Sequence, residues 1–226
     1  MTVSAKAIPI YLEKGSKRTF AGAIDWPGWC RSARDEAGAV EALLAYGPRY
    51  ARVLRGARLG FEPPTAVGRF IVIERLEGSA TTDFGSPGGH PSLDARPLKA
   101  QELRRAETLL KACWGAFDRA VLSAGTKSLR KGPRGGGRDL KKIVDHVHEA
   151  ELAYVSALGW KIDPAMGRSG LKRARREVLE ALAYAATHEM PGKGPRGGIR
   201  WKPRYFVRRV AWHILDHAWE IEDRSA

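Results

Sequence analysis

The pattern of apolar and polar positions changes along the chain and predicts two kinds of structure. Short runs of alternating or β-branched residues predict strands at residues 7–12, 19–25, 30–33 and 69–76. A helical pattern starts at Asp35, a residue suited to cap it, and Gly47 with Pro48 should interrupt or kink that helix midway. The N-terminal part is therefore predicted to be a small α+β unit over residues 1–80.

From residue 98 onward, apolar positions recur at helical spacing and predict four amphipathic helices. They are predicted at Leu98–Ser123, Asp139–Leu158, Leu171–Thr187 and Tyr205–Asp223. Four helices of similar length with one apolar face each predict a four-helix bundle over residues 98–226. Residues 81–97 between the two parts are rich in Gly, Pro and Ser, and they predict a linker or a loop lying over the surface. The fold class is thus α+β.

Charge is unevenly distributed along the 226 residues. The formal net charge is +14, of which +3 falls in residues 1–90 and +11 in residues 91–226. An excess of this kind favours anionic partners, either an anionic small molecule or nucleic acid, although a highly solvated surface would give the same composition.

The sequence also limits where the chain is expected to work. No apolar run is long enough to cross a membrane, so no membrane partner is expected, and the N-terminus lacks the apolar core of a signal peptide. Only Cys30 and Cys113 are present, without a C-x-x-C motif, and both are predicted to be reduced. These features predict a cytoplasmic protein. A homodimer is left open.

Three histidines are candidates for a metal site. His213 and His217 lie four residues apart on the last helix, which places both rings on one face beside the apolar stripe. His146 lies near the edge of the apolar stripe of the second helix. Neutral imidazoles bind zinc, nickel and iron well, but interior histidines satisfied by hydrogen bonds would show the same pattern. Glu149 is either an acceptor that fixes the His146 tautomer, an additional ligand, or a surface carboxylate paired with a nearby lysine.

The N-terminal part resembles the HicB-like domain over roughly residues 5–76. Asp25, Pro27, Gly28 and Cys30 fit its D-x-P-G-C/W element, and an acidic helix start follows. The residues that fit this start are Asp35, Glu36, Glu41 and Ala42. Members of that family are antitoxins that pair with a small RNA-cleaving partner. The resemblance implies a structural or partner-binding module without catalytic residues.

The C-terminal part resembles the DinB/YfiT-like superfamily of four-helix-bundle metalloenzymes over about residues 95–223. His146 with Val147 and Glu151 (or Glu149) fits the motif of its second helix, and His213 with His217 fits the H-x3-H pair of its fourth. The resemblance implies a divalent metal (zinc, nickel or iron) on His146, His213 and His217, with open coordination positions. Related enzymes include transferases and isomerases that use a low-molecular-weight thiol activated by the metal.

A repeated basic segment precedes two of the predicted helices. The sequence KGPRGGxR occurs at residues 131–138 and 193–200. In an up-down-up-down bundle the second and fourth helices are parallel, so both segments should lie at the same end. Their arginines would then form an anion-binding site with two helix N-termini, or they would belong to flexible basic loops. The four residues are Arg134, Arg138, Arg196 and Arg200.

Two functional classes follow. The first is a metal-dependent enzyme, with thiol-dependent transfer or isomerisation of an anionic small molecule as the expected reaction. The second is a non-enzymatic protein that binds nucleic acid or a toxin partner through its basic surface.

Overall fold

The computed structural model describes residues 7–126, 128–131, 137–161, 171–194 and 198–225. The chain divides into two units, Met1–Ala95 and Arg96–Ala226. The first is built on a β-sheet and the second on helices, so the fold is mixed α+β as predicted.

Unit 1 contains one four-stranded sheet. Its strands are β1 (Ile8–Lys14), β2 (Thr19–Ala23), β3 (Cys30–Ala33) and β4 (Phe70–Glu77). Their order in the sheet is β3-β2-β1-β4, with β2 antiparallel to both of its neighbours and β4 parallel to β1. All four strands lie where the apolar pattern predicted them, with small differences at their ends.

Helix α1 (Glu36–Leu54) packs against β2 and β3. The Asp35 side chain caps it by accepting a hydrogen bond from a first-turn amide at 2.8 Å, as predicted. The expected interruption is wrong, because the helix continues through Pro48. Trp29 contacts the helix on both sides of Pro48. Its indole N–H donates to the Leu43 carbonyl at 2.8 Å, and its ring stacks on Tyr50 with the ring centres 5.8 Å apart.

Most of the stretch predicted as a linker, residues 81–97, belongs to unit 1. Helix α2 (Ala80–Phe84) occupies its start, and the buried Glu13 carboxylate of β1 binds the segment at three points. This carboxylate accepts from the Thr82 hydroxyl at 2.5 Å and from the Gly88 and Gly89 amides at 2.9 Å each. A Cβ at residue 89 would lie 2.9 Å from a Glu13 oxygen, so this close approach requires glycine.

The described residues of unit 2 form four long helices in a bundle-like arrangement. They are α3 (Ala100–Ala124), α4 (Leu140–Leu158), α5 (Leu171–Thr187) and α6 (Pro203–Ser225). Helix α6 packs against both α3 and α4, and α4 packs against α5. None of the helices in the described part of the chain combines the length and the apolar character needed to cross a membrane.

The helix directions differ from the predicted up-down-up-down order. Helices α4 and α6 are antiparallel, because the Trp201 amide before α6 donates to Ala157 in the last turn of α4, at 2.9 Å. At the opposite end, Arg224 of α6 donates to the carbonyl of Arg138, just before α4, at 2.8 Å. The second and fourth helices of the bundle are therefore not parallel, and the sequence-based expectation is wrong on this point.

The remaining directions follow from contacts at the helix ends. Helix α3 is parallel to α6, since Glu102 and Arg204 form an ion pair near the N-termini of both helices. Helices α4 and α5 run in the same direction, because Trp160, just beyond the end of α4, contacts Tyr184 in the last turn of α5. Two pairs of parallel helices thus form the bundle, and α6 is the most enclosed of the four.

Candidate metal centre

The three predicted histidines come together between α4 and α6. His213 and His217 lie one turn apart on the buried side of α6, where their side chains are about as enclosed as the apolar residues beside them. His146 of α4 is partly exposed and faces both of them. Because the helices are antiparallel and packed against each other, one residue from α4 meets a pair from α6.

The distances within this histidine cluster suit a single ion. The Nε2 atoms of His146 and His213 are 3.1 Å apart, and the ring centres of the three histidines lie 4.7–5.0 Å from one another. One ligand atom from each residue falls within 4.8 Å of the other two. Nitrogens on a tetrahedral zinc ion at ~2.0–2.1 Å are about 3.3 Å apart, so small side-chain rotations would complete the site.

Burial keeps His213 and His146 neutral, which is the form that binds metal. The pKa of His213 is lowered to about 2, mainly by burial and in addition by the neighbouring His217, His146, Arg209 and Arg138. Burial also lowers the pKa of His146, together with the charges of Arg138 and His217. At neutral pH the rings of His213 and His146 therefore each keep a nitrogen lone pair that can bind a metal.

His217 is oriented by a carboxylate that the sequence analysis did not identify. Glu220 lies three residues further along α6, and its Oε2 is 2.8 Å from His217 Nδ1. Burial raises the pKa of Glu220, but its bonds to His217 and Arg224 outweigh burial and give a net lowering. An ionised carboxylate only accepts hydrogen bonds, so His217 carries its proton on Nδ1 and leaves Nε2 free. The i,i+3 spacing of Glu220 from His217 was a signal that could have revealed it.

Arg224 continues this chain of contacts. Its Nη1 binds Glu220 at 2.5 Å, while its Nε and Nη2 donate to the carbonyls of Arg130 and Arg138, each at 2.8 Å. One side chain therefore connects the carboxylate behind His217 to both described ends of the segment between α3 and α4.

The sequence left Glu149 open as an acceptor behind His146, an additional ligand or a surface carboxylate paired with a lysine. The structure places Glu149 on the exposed side of α4, where its charge raises the pKa of His146 while burial and the nearby cations outweigh it. Among the described contacts, Glu220 and not Glu149 makes the carboxylate–histidine hydrogen bond of the cluster.

Glu151, the other acidic residue of the helix motif, faces a different part of the bundle. It is fully buried and accepts from the Trp114 indole of α3, while its Oε2 has no hydrogen-bond partner among the described residues. Burial raises the pKa of Glu151 to about 7, against the opposing effects of Trp114 and Arg175. Glu151 thus forms a second buried polar site, separate from the three histidines.

The two described arginines of the repeated basic segments lie far apart. Arg138 precedes α4 and is close enough to affect the pKa values of His146 and His213. Arg200 lies at the other end of α4, where its Nη1 donates to the Ser156 carbonyl at 3.2 Å. About 28 Å of helix separates these ends, so the expectation of a shared end is wrong for this pair. Arg134 and Arg196 lie outside the described residues.

The donor set fits a divalent ion. Three imidazole nitrogens converge, and one ring is fixed by an ionised carboxylate. In addition, His213 Nδ1 is buried and has no hydrogen-bond partner within the described parts of the chain. A buried nitrogen of this kind is unusual in a purely structural core, where polar atoms are paired.

Comparison with known proteins gives no further identification. No family model matches the chain, and neither a curated protein nor a solved structure is significantly similar to it. The interpretation of the site therefore depends on the geometry of its own residues.

Proposed function

We propose that unit 2 is a metal-dependent enzyme that binds one divalent ion through His146, His213 and His217. The observation that carries this proposal is the convergence of three imidazole ligand atoms within 4.8 Å on two antiparallel helices. Three neutral protein ligands are typical of catalytic ions, whereas structural zinc sites are closed by four.

Each residue of the cluster has a distinct role in this proposal. His146 and His213 supply a pair of nitrogens already close to the spacing of metal ligands. His217 is held in one tautomer by Glu220, and Arg224 in turn holds Glu220. When bound, the ion would supply an open position at which a thiol or water is activated or a carbonyl is polarised.

The reaction class comes from the resemblance of residues 95–223 to DinB/YfiT-like proteins. On that basis the proposed ion is zinc, nickel or iron, and the proposed reaction is transfer or isomerisation that uses a low-molecular-weight thiol. An anionic substrate is consistent with the +11 charge excess of residues 91–226. The HicB-like resemblance assigns unit 1 a partner-binding or accessory role in the same proposal.

The chain offers a matched experiment, because its six histidines divide equally between the site and the rest of the molecule. We would purify the untagged protein without chelators and measure its metals by elemental analysis. The test variant replaces His146, His213 and His217 with alanine. The control variant replaces the remaining three histidines, His90, His148 and His188.

We expect about one zinc, nickel or iron ion per chain in the wild type and in the control, and none in the test variant. Circular dichroism would verify that both variants are folded. Absence of metal from the wild type even after reconstitution, or equal loss in test and control variants, would contradict the proposed function.

Nucleic-acid binding is the second candidate, favoured by the same charge excess. In that case, affinity for nucleic acid would fall steeply between 50 and 200 mM salt, by about 10³-fold or more if six or more phosphates are contacted. It would also be unchanged in the His146/His213/His217 variant. Filter binding at the two salt concentrations measures both properties.

A further inference from the structure

A cationic side chain lies directly beside the histidine cluster. Arg209 is one turn before His213 on α6, and its guanidinium carbon is 4.7 Å from the ring centre of Trp212. The same carbon is 5.7 Å from the ring centre of Tyr154 on α4. Both distances are within the range of cation–π contacts, so the two aromatic rings fix the position of an otherwise flexible side chain.

Tyr154 connects Arg209 to the metal ligands. Its ring centre is 5.6 Å from that of His213, and its hydroxyl interacts with the Arg209 guanidinium. Arg209, Tyr154 and His213 therefore line one continuous part of the site.

Two arginines flank the histidine cluster: Arg209 is one turn before His213 on α6, and Arg138 precedes α4 at the opposite end of that helix. A divalent ion on three neutral histidines would add two more positive charges. Such a site favours an anionic ligand, and a planar guanidinium held in place matches a carboxylate best.

We propose that Arg209 and Tyr154 bind the carboxylate of a small molecule whose other end occupies the open position at the histidine cluster. This inference rests on the proposed function and makes it more specific: the substrate or thiol carries a carboxylate, and Arg209, outside the repeated basic segments, recognises it. Arg209 lies one turn from His213, so a small molecule that reaches the ion can also contact its guanidinium.

The test uses two thiols of similar size that differ in one group. 3-Mercaptopropionate carries a carboxylate and 2-mercaptoethanol does not. The full-length protein is loaded with cobalt(II), its cobalt content is measured, and each thiol is titrated under nitrogen while the cobalt–thiolate absorption band is followed.

We expect 3-mercaptopropionate to bind the wild type more tightly than 2-mercaptoethanol. Arg209→Gln should weaken 3-mercaptopropionate by about 10- to 100-fold, as expected for the loss of a charged hydrogen bond, and leave 2-mercaptoethanol unchanged. Arg209→Lys and Tyr154→Phe should give intermediate losses. Arg138→Gln removes a charge at the opposite end of α4 and should change the affinity for 3-mercaptopropionate only about two- to threefold.

The outcomes separate the two proposals. Failure of the wild type to bind cobalt would overturn the proposed function, and this inference with it. Stoichiometric cobalt with equal affinities for the two thiols, or equal losses in the Arg209→Gln and Arg138→Gln variants, would overturn only the carboxylate site. Inorganic phosphate that competes as well as propionate would likewise contradict recognition of a carboxylate.

Discussion

Glu13 in unit 1 and Glu151 in unit 2 are both fully buried glutamates, but their surroundings differ. Glu13 accepts three hydrogen bonds, from the Thr82 hydroxyl and from two backbone amides of the segment that follows α2. Glu151 accepts from the Trp114 indole, and its second oxygen has no partner among the described residues. The pKa of Glu151 rises to about 7, with burial as the main cause.

The difference teaches that burial alone does not tell whether a polar residue is structural. In unit 1 the buried carboxylate has enough donors, and its effect is to hold a glycine-rich segment against a strand. In unit 2, both Glu151 Oε2 and His213 Nδ1 are buried without a partner in the described structure. Incomplete pairing of buried groups is more common where a protein binds or reacts than where it only packs.

The largest effect is expected when the well-paired carboxylate is removed. Glu13→Ala leaves one buried and two partly buried donors without an acceptor, and we expect it to reduce the free energy of unfolding by about 3–5 kcal/mol. Urea unfolding followed by circular dichroism measures the loss. Hydrogen exchange of residues 79–95 should accelerate in parallel.

Glu74→Ala is the matched control for this variant. Glu74 also accepts from the segment, at the Ser92 amide and hydroxyl, but it does so closer to solvent. We expect a loss of about 1 kcal/mol or less. Equal losses for Glu13→Ala and Glu74→Ala would show that the burial of the Glu13 carboxylate does not increase its contribution to stability.

The next largest effect is expected at Glu151, where substitution should change how the stability of the fold depends on pH. Below a pH of about 4.5 the carboxyl is protonated in both the folded and the unfolded chain, so it makes no contribution. As the pH rises from there to about 7, the unfolded chain ionises first and the folded state loses stability, by up to about 3 kcal/mol. Glu151→Gln should remove this loss, so the variant should be more stable than the wild type at pH 8.

Unfolding titrations at pH 5 and pH 8 would measure this difference. Glu177→Gln is the control, because Glu177 also accepts from an indole, that of Trp160, but is less buried. The control should keep the pH dependence of the wild type. If the free energy of unfolding changed between pH 5 and pH 8 by the same amount in Glu151→Gln as in the wild type, a raised pKa of Glu151 would be contradicted.

A smaller effect is expected where the carboxylate supports a histidine. Glu220→Gln weakens the hold on the His217 tautomer, and metal affinity should fall about 10- to 100-fold without loss of the fold. Competition with a metal-binding dye measures the affinity, and Glu222→Gln, exposed in the same part of α6, serves as control. Unchanged affinity in Glu220→Gln would remove this carboxylate from the site.

The smallest effect is expected at Glu149. Its exposed carboxylate influences His146 only through its charge, so Glu149→Gln should change metal affinity less than about twofold. The same dye competition tests it. A loss comparable to that of Glu220→Gln would instead favour the sequence-based role of Glu149.

Periodicity predicted the elements better than their arrangement. The helix predicted at Leu171–Thr187 has those ends in the structure, and the four strands are in place, because burial of one face imposes the spacing of apolar residues. Helix α2 was missed, since its surroundings are rich in Gly and Pro; Ser79 and Thr82, which cap it, were the only local signal.

Helix direction could not be read from the sequence for a physical reason. The 12 residues between α4 and α5 can span up to about 40 Å, which exceeds the roughly 28 Å length of α4. Such a connection permits parallel as well as antiparallel neighbours. The histidines could be identified by their spacing within each helix, whereas the place of Arg209 beside Tyr154 depends on how α4 and α6 pack.

Arg224 links the candidate metal centre to the anchoring of the segment between α3 and α4. The side chain that holds Glu220 also holds the carbonyls of Arg130 and Arg138, so the hydrogen bonds behind His217 and the anchoring of that segment share one residue. Coupling through Arg224 is reciprocal: the factor by which metal binding strengthens the anchoring of the segment is the factor by which that anchoring strengthens metal binding. In a metal-loaded chain, the ends of the segment between α3 and α4 should therefore become more resistant to proteolysis, and a ligand that displaces Arg224 should release the ion more readily.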